Sequence, residues 1–317
     1  MRTDEKEYWI QSIRVGTIKY ENIKIVPATI DQMYDAADVY RKSYDESLNS
    51  GIMTDSGLEH WMIENSLLPK SFFTSKENLN TSIDNIKKNL FNNRASKAAV
   101  KKIRGDLKNA RAKLKDLFDQ KSKMSHNTCE FIAQTEKLVS LLRATTFRNN
   151  KPYKPINMNV IIEIWQESLA SEPLVRSLSR CDIWKSIWAN KGFGFSLFLN
   201  KPEHDLTINQ RNLITWSRVY DNIQESLDCP SDKVIEDDDM LDGWFLIQQS
   251  KREKEKMEQE AEKLSGPTSK MADASHVFIP QGSNNIDIAL LNEGKKFGPE
   301  IHDIVEAQGK HNDKLRQ

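Results

Sequence analysis

Between Asn78 and Phe118 the apolar residues fall at heptad spacing. Leu79, Ile83, Ile86 and Leu90 are spaced 4-3-4, and Val100, Ile103, Leu107, Ala110, Leu114 and Leu117 are spaced 3-4-3-4-3. Apolar residues spaced this way line one side of a helix, so each run predicts a helix paired along a seam. The two stripes are out of phase, with Asn92–Asn93 between them, which predicts a stutter or a tight hairpin there. A third run, about 127–145, carries Phe131, Ile132, Leu138, Leu141 and Leu142 and can pack back on the first two. The expectation is a mainly α protein with a helical hairpin or three-helix coiled coil over about 78–145.

Punctuation along the chain places the other elements. Gly16–Val26 alternates apolar and polar residues around Glu21–Asn22, which predicts a small hairpin. Thr29-x-x-Gln32, Ser56-x-x-Glu59 and Thr207-x-x-Gln210 are capping boxes. In such a box the hydroxyl accepts from the third helical N–H while the longer side chain reaches back. The helix opened by Thr29 should run to about Leu48, with Gly51 as its stop. Trp61 and Met62, on the helix after Ser56, are expected to fill a core rather than to bind. The polar, Pro-containing stretch Arg148–Pro155 predicts a domain boundary. The expected organisation is a helical domain over 1–150, a second helical domain over 151–265 that ends in a long charged helix, and an extended or disordered tail over 266–317. In the second domain Val160, Ile161, Ile164 and Trp165, the run Leu174 to Trp188, and Ile208, Leu213, Trp216, Val219, Tyr220 and Ile223 are expected to face inward. Gly192 and Gly194 lack the spacing of a phosphate loop or a dinucleotide fingerprint. They predict a turn that buries Phe193, Phe195 and Phe198.

Charge is balanced overall and segregated locally. Lys plus Arg and Asp plus Glu each number 46. Glu77–Lys123 nevertheless carries about +8 and Glu225–Glu262 about −8. That asymmetry can serve intramolecular docking, self-association or the binding of different partners. The basic stretch exposes Lys101, Lys102, Arg104, Lys108, Arg111, Lys113 and Lys115, so nucleic-acid binding is the alternative function. Only Phe118 is available there to stack on bases, which favours a solvated helix flank. Cys129, Cys181 and Cys229 are too widely spaced for a disulfide framework or a zinc ribbon, and His126 before Cys129 has no second ligand pair. The N-terminal MRTDEKEYW has no apolar signal core, and no run reaches the ~18 apolar residues of a membrane span. The expectation is an intracellular, soluble protein with reduced thiols, no membrane partner and no cofactor.

The acidic run EDDDMLDGWFLI, beginning at Glu236, is the one candidate for chemistry. Asp238–Asp239 with Asp242 spells DDxxD, the arrangement with which a helical Mg²⁺-dependent diphosphate enzyme would bind its metal. No second aspartate-rich motif accompanies it. No arginine pair follows it, and the helix continues into Lys251–Arg252–Glu253–Lys254–Glu255–Lys256. Acids at a helix N-terminus are favourable in themselves, by ~0.3–1 kcal/mol each. The enzyme is therefore the third reading, and a docking helix is preferred. Its partner-binding candidates are Trp244, Phe245 and Ile247, with Val277, Phe278 and Ile279 as anchors in the tail.

The sequence DDDMLDGWFLIQQSKREKEK, preceded by LTINQRNLITWSRVYDNI, resembles a poorly characterised family of virion and assembly proteins from large tailed bacteriophages. The resemblance covers roughly 184–275. It implies a non-enzymatic structural or assembly protein, of the tail assembly chaperone kind or a small structural component. Such a protein would work through contacts with other phage proteins or with itself, in the host cytoplasm or incorporated in the virion. No catalytic, cofactor-binding or metal-binding residue transfers with it.

Overall fold

The computed structural model describes residues 2–191 and 196–264, without the side chains of 261–264. The fold is mainly helical, as the heptad runs predict. It divides into one compact unit, Met1–Phe245, and a second, Leu246–Gln317. Phe193, Phe195, Val277, Phe278 and Ile279 lie outside the described residues.

The first unit opens with α1 (Thr3–Val15) and a hairpin of β1 (Ile18–Tyr20) and β2 (Ile23–Ile25). Next come α2 (Ile30–Asn49), α3 (Asp55–Glu64), α4 (Phe72–Asn92), α5 (Lys97–Ser125) and α6 (Cys129–Thr145). The α2 start has the expected box: Gln32 N–H donates to Thr29 Oγ1 over 3.2 Å, and Thr29 N–H to Gln32 Oε1 over 3.0 Å. Gly51 follows the helix end in the left-handed region, at φ 81°. The Ser56 box does not form. Thr54 caps α3 instead, accepting from Gly57 N–H over 3.1 Å, so the helix starts before Ser56 can serve as its cap.

The heptad stripes of α4 and α5 meet as an antiparallel hairpin around Ile83, Leu107 and Ala110, flanked by Ile86 and Leu114. Residues 93–96, just past Asn92, make the turn. The third helix of the expected coiled coil does not join this seam. Helix α6 packs along α2 instead, and Phe131 is about half exposed. Heptad periodicity identifies a buried face; it does not identify the face it meets.

The boundary expected near residue 150 is absent. Thr146–Arg148 (β3) and Lys151–Pro152 (β4) extend the hairpin into an antiparallel sheet of order β1-β2-β3-β4, with Ile25 opposite Thr146. Asn149 and Asn150 both take positive φ, 50° and 61°. A two-residue hairpin turn requires this backbone, and Asn is among the side chains that tolerate it. Pro152 sits on the edge strand, where a missing N–H donor is harmless. The Pro and Asn residues that resemble a linker thus build a tight hairpin. Cores also cross the expected border. Ile25 and Leu142 pack with Ile161 and Ile164 of α7 (Asn159–Glu167).

A second core joins the N-terminus to the latter half. Ile10 and Ile13 of α1 pack with Val175 and Leu178 of α8 (Glu172–Ser179), Trp184 and Trp188 of α9 (Asp182–Ala189), and Leu213 of α10 (Ile208–Gln224). Phe198, expected to be buried, is half-buried and stacks on Trp184. Both buried indoles find acceptors: Trp184 donates to Ser217 Oγ and Trp188 to Asp221, each over 2.7 Å. Val160 and Ile208, expected to face inward, are instead half exposed, because each lies off the buried face that Ile161 and Ile164 set in α7 and that Leu213, Ser217 and Tyr220 set in α10.

Gln210 ties this core together. As the third residue of α10 it completes the Thr207 box, its Oε1 accepting from Thr207 N–H over 2.9 Å. Its Nε2 donates to Ile13 O and to Asn200 Oδ1, each over 2.9 Å. The side chain is fully buried. Gln210→Ala removes a cap and strands buried polar partners, so we expect it to lower unfolding stability by about 2–3 kcal/mol in urea titration. A loss under half a kcal/mol would contradict this dual role.

Candidate functional site

The acidic run forms the N-terminal end of α12 (Asp238–Leu264), after the single turn α11 (Asp232–Ile235). Asp237 caps the helix, accepting from Met240 N–H over 3.1 Å. Asp238 and Asp239 lie in its first turn and Asp242 in the next. This is the charge distribution that the helix dipole favours.

Each of these carboxylates meets a cation of the same unit. Asp242 receives Arg176 Nη2 on one oxygen and Lys87 Nζ on the other, both at 2.8 Å. Asp238 Oδ1 accepts from Arg180 Nη1 over 2.7 Å, and Arg176 Nε lies 3.1 Å from the same oxygen. That second approach is an ion pair without hydrogen-bond geometry, and it leaves the buried Nε with no hydrogen-bond acceptor. Asp239 takes Arg111 on both oxygens, at 2.5 and 3.2 Å. Asp237 pairs with Arg104. The cations come from α4, α5 and α8 or its C-cap, so the aspartates are where three segments converge on the fourth.

The pairs are unequal. Arg176 has a side chain only 5% exposed, and its guanidinium lies 4.3 Å from the Trp216 ring centroid. Excluding water strengthens its attraction to Asp238 and Asp242 and raises the cost of leaving it unpaired. Arg180 adds hydrogen bonds to Ile235 O and the Tyr220 hydroxyl. Arg104 and Arg111 are about half exposed, so their pairs contribute little, ~0–1 kcal/mol each. Burial alone would push the Asp242 carboxyl up; its bonds to Arg176 and Lys87 outweigh this and hold it below the ordinary aspartate range.

The DDxxD carboxylates are thus engaged by cations of the chain itself. A divalent cation there would have to displace arginines and a lysine that already neutralise the carboxylates. Among the described residues no group of three His, Cys, Asp or Glu side chains is arranged to hold a metal ion. Cys129 is buried, and its thiol donates to Ile52 O over 3.1 Å.

Below the aspartates lies a small core. Trp244, 5% exposed, packs with Leu241, Tyr220 and Ile223, and Phe245 packs edge-on against it with ring centroids 5.0 Å apart. Trp244 was an expected partner anchor; it is an internal one instead, because the apolar side of the first two turns faces α10. Phe245 is half-buried in the same cluster, and Ile247 is also half-buried. Gly243 sits where α12 crosses α4: a Cβ there would overlap the Lys87 carbonyl and come within 3.2 Å of Phe91 Cβ. Sequence reasoning missed Lys87, Arg176 and Arg180. Lys87 belongs to the basic block Glu77–Lys123, but no local signal marks Arg176 or Arg180.

The basic face of α5 is divided by these contacts. Arg104 and Arg111 lean to the aspartates, while Lys101, Lys102, Lys108, Lys113 and Lys115 remain exposed. Among the described residues none of these five lysines is in an ion pair. Phe118, the one aromatic available for stacking, has Lys76 Nζ 5.4 Å from its ring centroid. Among the described residues no helix is long and apolar enough to cross a membrane. No protein-family model, curated protein or solved structure matches the chain.

Three substitutions check this site by denaturation. Asp242→Asn should cost about 3 kcal/mol, because it breaks a buried pair from one side. Since the folded carboxyl is held down, its contribution is complete at neutral pH. It fades as pH falls below the unfolded value of about 3.9 toward the folded one. The Asn variant should lose that part of the acid sensitivity in denaturation followed against pH. Gly243→Ala should destabilise the protein, although alanine in an open helix interior gains about 1 kcal/mol over glycine; a stabilised variant would disprove the close crossing. Trp244→Ala should cost about 3–5 kcal/mol.

Proposed function

We propose that the protein is a non-enzymatic structural or assembly protein that acts through protein–protein contacts. The setting is the one its resemblance over roughly 184–275 implies, assembly of a tailed bacteriophage, with a tail assembly chaperone as the closest role. The observation that carries the reading is the engagement of Asp237, Asp238, Asp239 and Asp242 by arginines and a lysine. The residues that most resemble a reaction centre hold a helix in place. Outward-facing charge is what remains for function. It includes the lysines of α5 and, in the second unit, the continuation of α12, whose residues 251–260 are all exposed. That stretch is rich in Lys and Glu, and Gln249 Nε2 donates to Glu253 Oε1 over 2.9 Å, as i,i+4 neighbours on a solvated helix do.

An assembly protein of this kind resides in the host cytoplasm, and a structural one passes into the particle. Mass spectrometry of purified virions and of tail precursors from infected cells separates the two. We expect the protein in at least one fraction. Its absence from both would overturn the assembly reading. So would turnover of an isoprenoid diphosphate with Mg²⁺ that Asp238→Ala abolishes.

A further inference from the structure

We propose that one edge of α5 is a docking surface for an acidic helix of a partner protein. The inference rests on the protein-contact reading above and names the surface and its partner's chemistry. Lys97, Lys101, Arg104, Lys108, Arg111 and Lys115 are spaced 4-3-4-3-4. On a helix that spacing draws a single basic ridge about 27 Å long, at the pitch by which two paired helices meet. All six side chains are exposed, along the flank of α5 beside the Leu107–Ala110 seam with α4.

The ridge is costly in isolation. Like charges four residues apart repel by a few tenths of a kcal/mol, and the pairs 97/101, 104/108 and 111/115 all have that spacing. Lys97 also places a positive charge in the first turn, where the helix dipole disfavours it. The molecule relieves part of this itself. Arg104 and Arg111, one heptad apart, take Asp237 and Asp239, carboxylates carried at a helix N-terminus. The ridge thus already binds helix-borne carboxylates at two of its positions. Lys97, Lys101, Lys108 and Lys115 are in no ion pair among the described residues, and a second acidic helix laid along them would supply their counter-charges.

The same features favour a protein over a nucleic acid. Single-strand binding interleaves cations with free aromatic faces. On α5 itself the one aromatic is Phe118, and Lys76 Nζ already lies 5.4 Å from its ring centroid. Arginine forks are the best phosphate ligands, and both arginines on the ridge are turned to carboxylates.

The test uses the full chain and labelled helical peptides of about three heptads. One carries glutamates at 4-3-4-3-4 spacing, and the other has the same composition scrambled. Single-stranded and duplex oligonucleotides of similar length serve as polyanion probes. Anisotropy should show the spaced peptide binding at least about tenfold more tightly than the scrambled one, and weakening as salt rises. Replacing Lys97, Lys101, Lys108 and Lys115 by Gln should remove that binding while circular dichroism stays unchanged and the urea midpoint holds or rises slightly, as relief of like-charge repulsion requires. Equal affinity for both peptides, no binding of either, or tighter binding of an oligonucleotide would each overturn the inference. These outcomes are independent of virion or precursor composition: a protein found there that ignores the spaced peptide keeps the assembly reading and loses this surface.

Discussion

The Arg176 guanidinium is the point on which the first unit depends. It is nearly enclosed, it lies against Trp216, and it meets Asp238 and Asp242 in successive turns of α12. A charge in that position is tolerated only while its partners remain, so the pairing demands one arrangement of α8, α10 and α12. Lys87 completes Asp242 from α4, and Gly243, in the next position, lets the α4 backbone come close enough for it to do so. The aromatic core of Trp244, Leu241 and Tyr220 then forms on the other side of the same two turns. Ionic and apolar contacts at this helix start are thus parts of one docking event. The charges select the register, and the burial of Trp244 supplies much of the free energy, since a large aromatic side chain removes the most apolar area from water.

Local signals were legible in the sequence to the extent that their physics is local. The Thr29 and Thr207 boxes each need only two residues three apart, and both form as read. The α4–α5 hairpin follows from two stripes and a short break, all within fifty positions. What the sequence hid was pairing over distance. Arg176 and Asp242 are 66 residues apart, and Lys87 and Asp242 are 155. Nothing in the neighbourhood of Arg176 distinguishes it from a surface arginine. The same limit explains α6, whose apolar face was evident but whose partner, α2, was not. Asn149–Asn150 illustrates a different ambiguity. Polar residues beside proline describe a linker and a two-residue hairpin turn equally well, and the strands β2 and β3 that resolve it are 121 to 125 residues apart.

The opposite charge blocks at Glu77–Lys123 and Glu225–Glu262 acquire a specific meaning from this geometry. Part of each block neutralises the other: Lys87, Arg104 and Arg111 on one side, and Asp237, Asp239 and Asp242 on the other. The exposed members of this set contribute little to stability, because solvent screens half-exposed pairs. Neutralisation is incomplete by design of the spacing. A heptad ridge of six cations offers two to the aspartates of α12 and presents the rest to solvent.

The acidic motif also shows why residue type and spacing alone do not assign chemistry. Asp238, Asp239 and Asp242 have the pattern that binds a hydrated divalent cation, and the pattern is kept on one face of a helix. Which cation a carboxylate holds is set by the attraction gained less the cost of desolvating both partners. A guanidinium held against an indole has already lost much of its water, and it presents two parallel donors without needing exchangeable ligands. Once α8 brings Arg176 and Arg180 to the motif, an incoming metal must be dehydrated and must also leave those arginines buried without counter-ions. Both costs oppose it, and the second alone is comparable to the free energy of a buried pair broken from one side, about 3–5 kcal/mol. The arginines therefore set what any other cation would have to displace at Asp238 and Asp242.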